Sequence, residues 1–592
     1  MATIVNHAPS LEEQERQSAA LERQNQILAA MASGSASSEF IDETFRQLLD
    51  GTNTTSVFWS WWPLSDNGSD TRYQRLERFG KMLARCWADK TYTLRGYAGE
   101  VSGDSALTPL DDLAGRSAAV LSTDTAPGGE DWAEEDPMTW YVRANAMSLA
   151  DGTMDVLAVE GEDDFDITGE VAPVYAFALA LWHKQAYDGS YETDSWRTTK
   201  AAGFRPYPGD VAPDNSKRVL TWHPSFGGGL NSAGKLTSGA GRAACNFTSA
   251  TSGNTLAKKW DAYEGLWCDC DTAWLLDMWK LRHFYKENSG ILEGCTNYNY
   301  QYKVALAETG VKRVLLTTAQ AANLVEGSTV SIGDATTNSN LDRGNSYMRN
   351  LADKVRIASI GKVTVDGTEY SAVNLEMDTA IDVTATTYLS TMPWHRGSTE
   401  AVPGHKDGCI GSLTNGKFPA RVAGVEVLDG AYAVGLDPLY NVTANASGGY
   451  DYAVYECRNS ENLAGSITGN YTDTAIRLTG VASGWSYVKA FVVTLLGILF
   501  PRLLGGSSSG WYRSAFYGAW GAGVYCPWRF GNLNNTGNAG LAYENGNNSP
   551  SNSNWNGVPR VSLRWRRYQN FYGSTAQGTM CCNASVYPWP MA

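Results

Sequence analysis

Gly531-Asn532-Leu533-Asn534-Asn535-Thr536-Gly537-Asn538-Ala539-Gly540-Leu541, followed by Asn547-Asn548-Ser549-Pro550-Ser551-Asn552-Ser553-Asn554-Trp555-Asn556-Gly557-Val558-Pro559-Arg560, is asparagine-dense and rich in turn formers. Asn and Gly tolerate positive φ, and the Asn side chain bonds its own backbone, so the run reads as turns serving a folded body. Upstream, Gly505-Gly506-Ser507-Ser508-Ser509-Gly510 leads into Trp511-Tyr512-Arg513-Ser514-Ala515-Phe516-Tyr517-Gly518-Ala519-Trp520 and then Tyr525-Cys526-Pro527-Trp528-Arg529-Phe530. Recognition surfaces favour these residue types: rings give rigid contact area at low entropy cost, and Ser, Gly and Asn give adaptable hydrogen bonds. The aromatic half therefore reads as a surface, and the asparagine half as loop framework.

The rest of the chain bounds what this segment serves. Its 592 residues suggest about four structural units. With 43% hydrophobic and 18% charged residues there is ample material for real cores. Sixty Gly, 21 Trp and 30 Tyr point to turn-dense, β-leaning structure. A net charge of −15 excludes a general nucleic-acid or anionic-membrane partner. Met1 to His7 has neither the basic nor the apolar part of a secretory signal. The longest apolar run, Ala490 to Phe500, is too short to span a bilayer and contains Gly497, so it reads as a buried core element without membrane insertion.

Chemistry-bearing motifs are scarce. The ten cysteines include Cys268-x-Cys270, with His283 and Cys295 beyond, which lacks the paired knuckles of a zinc site; no metal and no cofactor are expected. There is no phosphate loop and no His-Glu-x-x-His, and the six histidines are dispersed. The reading is of a protein that is not an enzyme, with no catalytic residues. The acidic stretch from Asp155 to Glu170 reads as a solvated loop.

Local patterns set the organisation. Residues 10–32 predict a helix opened by a Ser10/Glu13 capping box, with Ala20, Leu21, Ile27, Leu28 and Met31 as an apolar stripe suited to self-association or docking; 32–38 form a flexible linker. Short strands alternate with turns from Val57 to about Lys217, the strongest between Val171 and Trp182. Asp271 to Lys286 predicts a helix with Asp271 as N-cap and Trp274, Met278, Leu281 and Tyr285 at helical spacing. Residues 310 to about 392 predict a small β module with a hairpin at Asp366-Gly367.

Taken together, the Gly505 run, the aromatic block and the asparagine-dense end resemble the variable region of proteins diversified by retroelements. Ser412-Leu413-Thr414-Asn415-Gly416-Lys417-Phe418-Pro419-Ala420-Arg421-Val422-Ala423-Gly424-Val425-Glu426 is similar to the segment that precedes the lectin core in that family. The resemblance implies an α+β chain: an N-terminal helix and linker (1–55), a β-rich adaptor (56–217), and a C-type lectin domain like that of formylglycine-generating enzymes (218–592). The β module at about 310–392 would be an insertion, and about 511–560 the variable region. It also implies a receptor-binding protein of a bacteriophage tail or tail fibre, made in the bacterial cytoplasm and carried on the virion.

In that scheme the loops bind a host cell-surface protein or glycan, the N-terminal region contacts other tail proteins, and the chain is a homotrimer. By the family's pattern the ligand-facing positions are Trp511, Tyr512, Arg513, Ser514, Phe516, Tyr517, Tyr525, Trp528, Phe530 and Tyr543. Asn534, Asn535, Asn547, Asn548, Asn552, Asn554 and Trp555 are framework. Two alternatives stand beside this: an oxidase of the formylglycine-generating kind, which needs paired reactive cysteines, and a purely structural tail component.

Overall fold

The computed structural model describes residues 90–563, apart from 130–135, 137, 149–153, 162, 211–219, 336–340, 403, 458 and 495. The expected N-terminal helix over 10–32, its linker and the segment after 563 lie outside the described residues. Among those residues there are 33 strands and only three α-helices: α1 (Ala250–Ala257), α2 (Asp269–His283) and α3 (Thr318–Ala321). The protein is thus mostly β-sheet, which corrects the α+β, lectin-type expectation. That expectation rested on the resemblance and on the N-terminal helix; the dense turn formers and the β-branched and aromatic alternation build sheet. No helix among the described residues is long and apolar enough to cross a membrane.

A ten-stranded sheet dominates the C-terminal half. Its main path runs Tyr471–Val481, Tyr450–Cys457, Leu439–Ala444, Gly523–Arg529, Glu544–Asn548, Ala515–Gly518, Gly484–Val493, Leu499–Leu504. Tyr432–Val434 branches from it, pairing antiparallel with Gly523–Arg529 and parallel with Gly557–Pro559. The first and last strands of the path approach each other, so the sheet comes close to a barrel. The apolar run Ala490 to Phe500 is not one element: it spans the turn between Gly484–Val493 and Leu499–Leu504. Gly497 makes that turn at φ 86°, where an added Cβ would lie 2.6 Å from Cys270 Cβ, so the hairpin packs directly on α2.

Helix α2 is the strut beneath the sheet. Cys268, not Asp271, is its N-cap, and Asp271 closes a capping box by accepting the Cys268 N–H at 3.0 Å. Phe284 ends it in the left-handed conformation, well before Gly290. Trp274, Leu275, Met278, Trp279 and Leu281 are all buried, and they share one core with Tyr440, Phe500, Phe516 and Phe530 of the large sheet. The strand Val174–Leu179 is buried along its length in that same core, as its continuous apolar pattern predicts.

A separate six-stranded sheet runs Gln301–Lys303, Thr387–Thr391, Thr329–Asp334, Ala352–Val365, Thr368–Glu376, Arg313–Leu316. Its longest pair turns at Asp366 (φ 49°) and Gly367 (φ 77°), the hairpin the Asp-Gly pattern predicts. Val314, Val330, Ile332, Ile357 and Leu389 form its core.

Two buried ion clusters tie distant segments together. Arg529 on Gly523–Arg529 donates through Nε and Nη2 to both oxygens of Asp269 at 2.8 and 2.6 Å. Asp429 Oδ2 accepts from Arg396 at 2.6 Å and from Arg560 at 3.0 Å, and all three side chains are buried. Charges this deep persist only when paired and hydrogen-bonded.

Candidate functional site

Strand register assembles one open pocket in the large sheet. Trp485 pairs with Tyr517, Tyr517 with Asn545, and Asn545 with Trp528, so four adjacent strands each contribute one residue to a single row. Residues in register on one face lie close enough for their side chains to pack, and this row does. The Trp485 and Tyr517 rings meet edge to face at 4.6 Å. Trp528 lies 5.5 Å from Tyr432, which comes from the branching strand, and Gly557 makes room for it: a Cβ there would lie 2.6 Å from the indole.

Around this row the chain wraps its asparagines. Asn532, Asn534 and Asn535 come from the loop after Phe530, Asn545, Asn547 and Asn548 from the strand Glu544–Asn548, and Asn554 and Asn556 from the segment before Gly557. Together with Tyr432, Trp485, Tyr517 and Trp528 they line a cavity of about 340 Å³. Internal bonds fix many of the amides. Asn532 Oδ1 accepts from the Asn534 N–H and Asn535 Oδ1 from the Asn532 N–H, at 2.8 and 2.7 Å. Asn545 Oδ1 accepts from the Asn547 N–H and the Asn548 Nδ2, and Asn534 Oδ1 accepts from Asn299 Nδ2 at 2.6 Å. An amide whose oxygen is engaged in this way still has NH₂ protons to donate. Asn556 Oδ1, by contrast, has no hydrogen-bond partner.

The lining carries no charge. Arg529 and Glu544 lie behind it, fully buried, with Arg529 committed to Asp269 and within 3.0 Å of Glu544. Burial pushes the Glu544 carboxyl up despite Arg529, whose Nε and Nη2 are bonded to Asp269. The buried Tyr432 and Tyr543 phenols are likewise pushed up and stay neutral.

The expected ligand-facing set divides sharply. Only Tyr517 and Trp528 reach the pocket. Phe516, at 0% exposure, packs edge-on against Tyr452 and Phe500. Phe530 packs against Trp267, Tyr543 against Tyr432, and Tyr512 against Phe491, while Ser514 is fully buried beside Glu287. These five are buried in the cores; for Phe516 the reason is that alternate residues of a strand face opposite sides of the sheet. Trp511 donates its indole N–H to Gly99 O at 2.8 Å, Arg513 donates to Ser289 O at 3.0 Å, and Tyr525 donates to Gly521 O at 3.0 Å, all away from the pocket lining.

The framework set also changes place: Asn534, Asn535, Asn547, Asn548 and Asn554 line the pocket. Asn552 only braces it, donating to Asn548 Oδ1 at 2.8 Å, and Trp555 is buried under the Arg343 guanidinium at 4.2 Å. Tyr432, Trp485, Asn532, Asn545 and Asn556 were not among the expected site residues. Strand pairing, which composition does not display, is the signal that joins Tyr432, Trp485 and Asn545.

Other polar clusters are structural in character. Cys268, Cys270 and Asp271 bring ligand atoms within 4.8 Å of one another. Yet Asp271 already accepts from the Cys268 N–H, from Ser562 Oγ at 3.0 Å and sits 2.8 Å from His223, so it serves as a helix cap and core anchor. Cys526 is buried, its Sγ donates to Asn548 O, and burial pushes its thiol up to about 12.

Glu287 lies under the same region and makes stability pH-dependent. Burial pushes its carboxyl up to about 7, against the opposing N–H of Ser289. A carboxyl raised above its unfolded value of about 4.5 contributes stability below that value and loses it as pH rises through 7, by about 3 kcal/mol for the full span. Urea denaturation should therefore show stability falling between pH 5 and 7.5, and Glu287→Gln should flatten that slope.

No family profile matches the chain, and a search of curated proteins returns no match.

Proposed function

We propose that the chain is a receptor-binding protein of a bacteriophage tail, holding a host-surface ligand in the asparagine-lined pocket. The observation that carries this is the lining itself: eight asparagines and four aromatic rings, with neither a charged group nor a nucleophile among them. Such a surface supplies hydrogen bonds and stacking area, the means of binding rather than of bond cleavage. The retroelement resemblance then attaches to different residues than the aromatic block alone suggested. Replacement of adenines turns an Asn codon into Tyr, Ser, Asp or His codons, so the pocket asparagines, with Tyr517 among them, are the positions where variation alters a ligand site.

Two measurements test the reading. DNA flanking the gene should hold a reverse transcriptase and a near-copy of the region encoding 505–560, differing at adenines in the pocket codons. Purified protein should be retained on bacterial envelope fractions, and Trp485→Ala combined with Asn547→Ala should weaken retention by about ten-fold or more without lowering the melting temperature. Retention unchanged in that variant overturns the assignment of the site. In the same reading the N-terminal stripe assembles a trimer. Light scattering should give three times the 64.2 kDa of one chain, and deleting residues 1–38 should return the mass to that of one chain.

A further inference from the structure

The pocket's chemistry points to a neutral oligosaccharide; resting on the receptor-binding reading, we propose that its terminal ring enters the asparagine cavity and that the next ring stacks on Trp520. Three observations select this class. The first is charge. The lining has no cation to balance an anionic ligand and no carboxylate to hold a bridging metal, and the Arg529 guanidinium behind it is buried and committed to Asp269. The second is valence. Primary amides donate and accept from one planar group, and Asn532, Asn534 and Asn545 have their oxygens engaged while Asn556 Oδ1 is unpartnered. A mixed set of donors and an acceptor fits hydroxyl groups, which do both. The third is shape. A cavity of about 340 Å³ lies at the low end of the roughly 300–1,000 Å³ of small-ligand sites.

The aromatic rim extends the site outward. Trp485 is 44% exposed and Trp520 67%, both unusual for indoles. Trp520 Nε1 donates to Tyr517 Oη at 3.2 Å, which holds the exposed indole beside a pocket ring. A pyranose has an apolar face of C–H groups, and an indole held in the open beside a polar cavity is a platform for it. The cavity reads the terminal ring, and Trp520 adds affinity from the second.

The test is an array of neutral and acidic oligosaccharides probed with the full chain, alongside envelope fractions treated with periodate or with proteinase. Binding to neutral di- and trisaccharides, undiminished by EDTA, is expected. Trp485→Ala should weaken it about ten-fold or more, with partial recovery in Trp485→Phe. Trp520→Ala should weaken trisaccharide binding while leaving monosaccharide binding unchanged. Thermal melts matching the wild type confirm that these variants fold. Binding to acidic glycans alone, or envelope retention that resists periodate and is lost to proteinase, overturns the saccharide inference while the receptor-binding reading stands. No binding to any array member or envelope overturns both.

Discussion

Asp429→Ala should cost the protein about 3–5 kcal/mol in urea denaturation. Asp429 Oδ2 is the shared acceptor of Arg396 and Arg560, and its Oδ1 accepts the Ala431 N–H at 3.2 Å. Arg560 has a second bond, from Nη1 to Glu426 O at 2.7 Å, and its guanidinium lies over the Trp267 ring. Removing the carboxylate takes away the acceptor that the two buried guanidinium groups share. Glu426 does not take over those bonds: its carboxyl is occupied by the N–H groups of Gly397 and Thr399 and by the Thr399 hydroxyl. Asp429→Asn should be nearly as costly, because it keeps the shape and loses the charge. Replacing all three with apolar residues (Asp429→Leu, Arg396→Met, Arg560→Met) should recover much of the loss, which separates an uncompensated charge from a packing defect. A single Asp429→Ala that leaves the urea midpoint unmoved would show the cluster to be solvated.

Phe516→Ala and Tyr517→Ala should behave as opposites, although the residues are neighbours. Phe516 is packed among Tyr452, Phe500 and the backbone of Gly546, so its truncation should cost about 3–5 kcal/mol and leave a void. Tyr517 reaches the pocket, so its truncation should shift stability by little and fall instead on envelope binding. Phe530→Ala belongs with Phe516. Equal stability loss in the two neighbours would mean that the pocket face is itself packed.

That contrast also shows how far the sequence could be read. The Asp366-Gly367 hairpin and helix α2 were legible because their signals are local: two residues that accept positive φ, and a 3.6-residue period. Which of the rings and asparagines line the pocket was not. Phe516 and Tyr517 sit in the same aromatic block, and only the pairing of Tyr517 with Trp485 and Asn545 shows which of them faces out. A shift of one residue in register would exchange their faces, and register is fixed by partners distant in sequence. The α+β expectation came from the resemblance, whereas many short strands, each weak as a local signal, make the described residues mostly sheet.

The row Trp485–Tyr517–Asn545–Trp528 lies on hydrogen-bonded strands and not on long loops. A ligand arriving there meets groups already in place, so little chain entropy is lost on association and encounter should proceed without a slow rearrangement. Substitutions in the row would then leave the association rate nearly constant and act on dissociation. The lifetime of each bound state, rather than the speed of finding it, is the quantity that exchange of one side chain for another at these positions would tune.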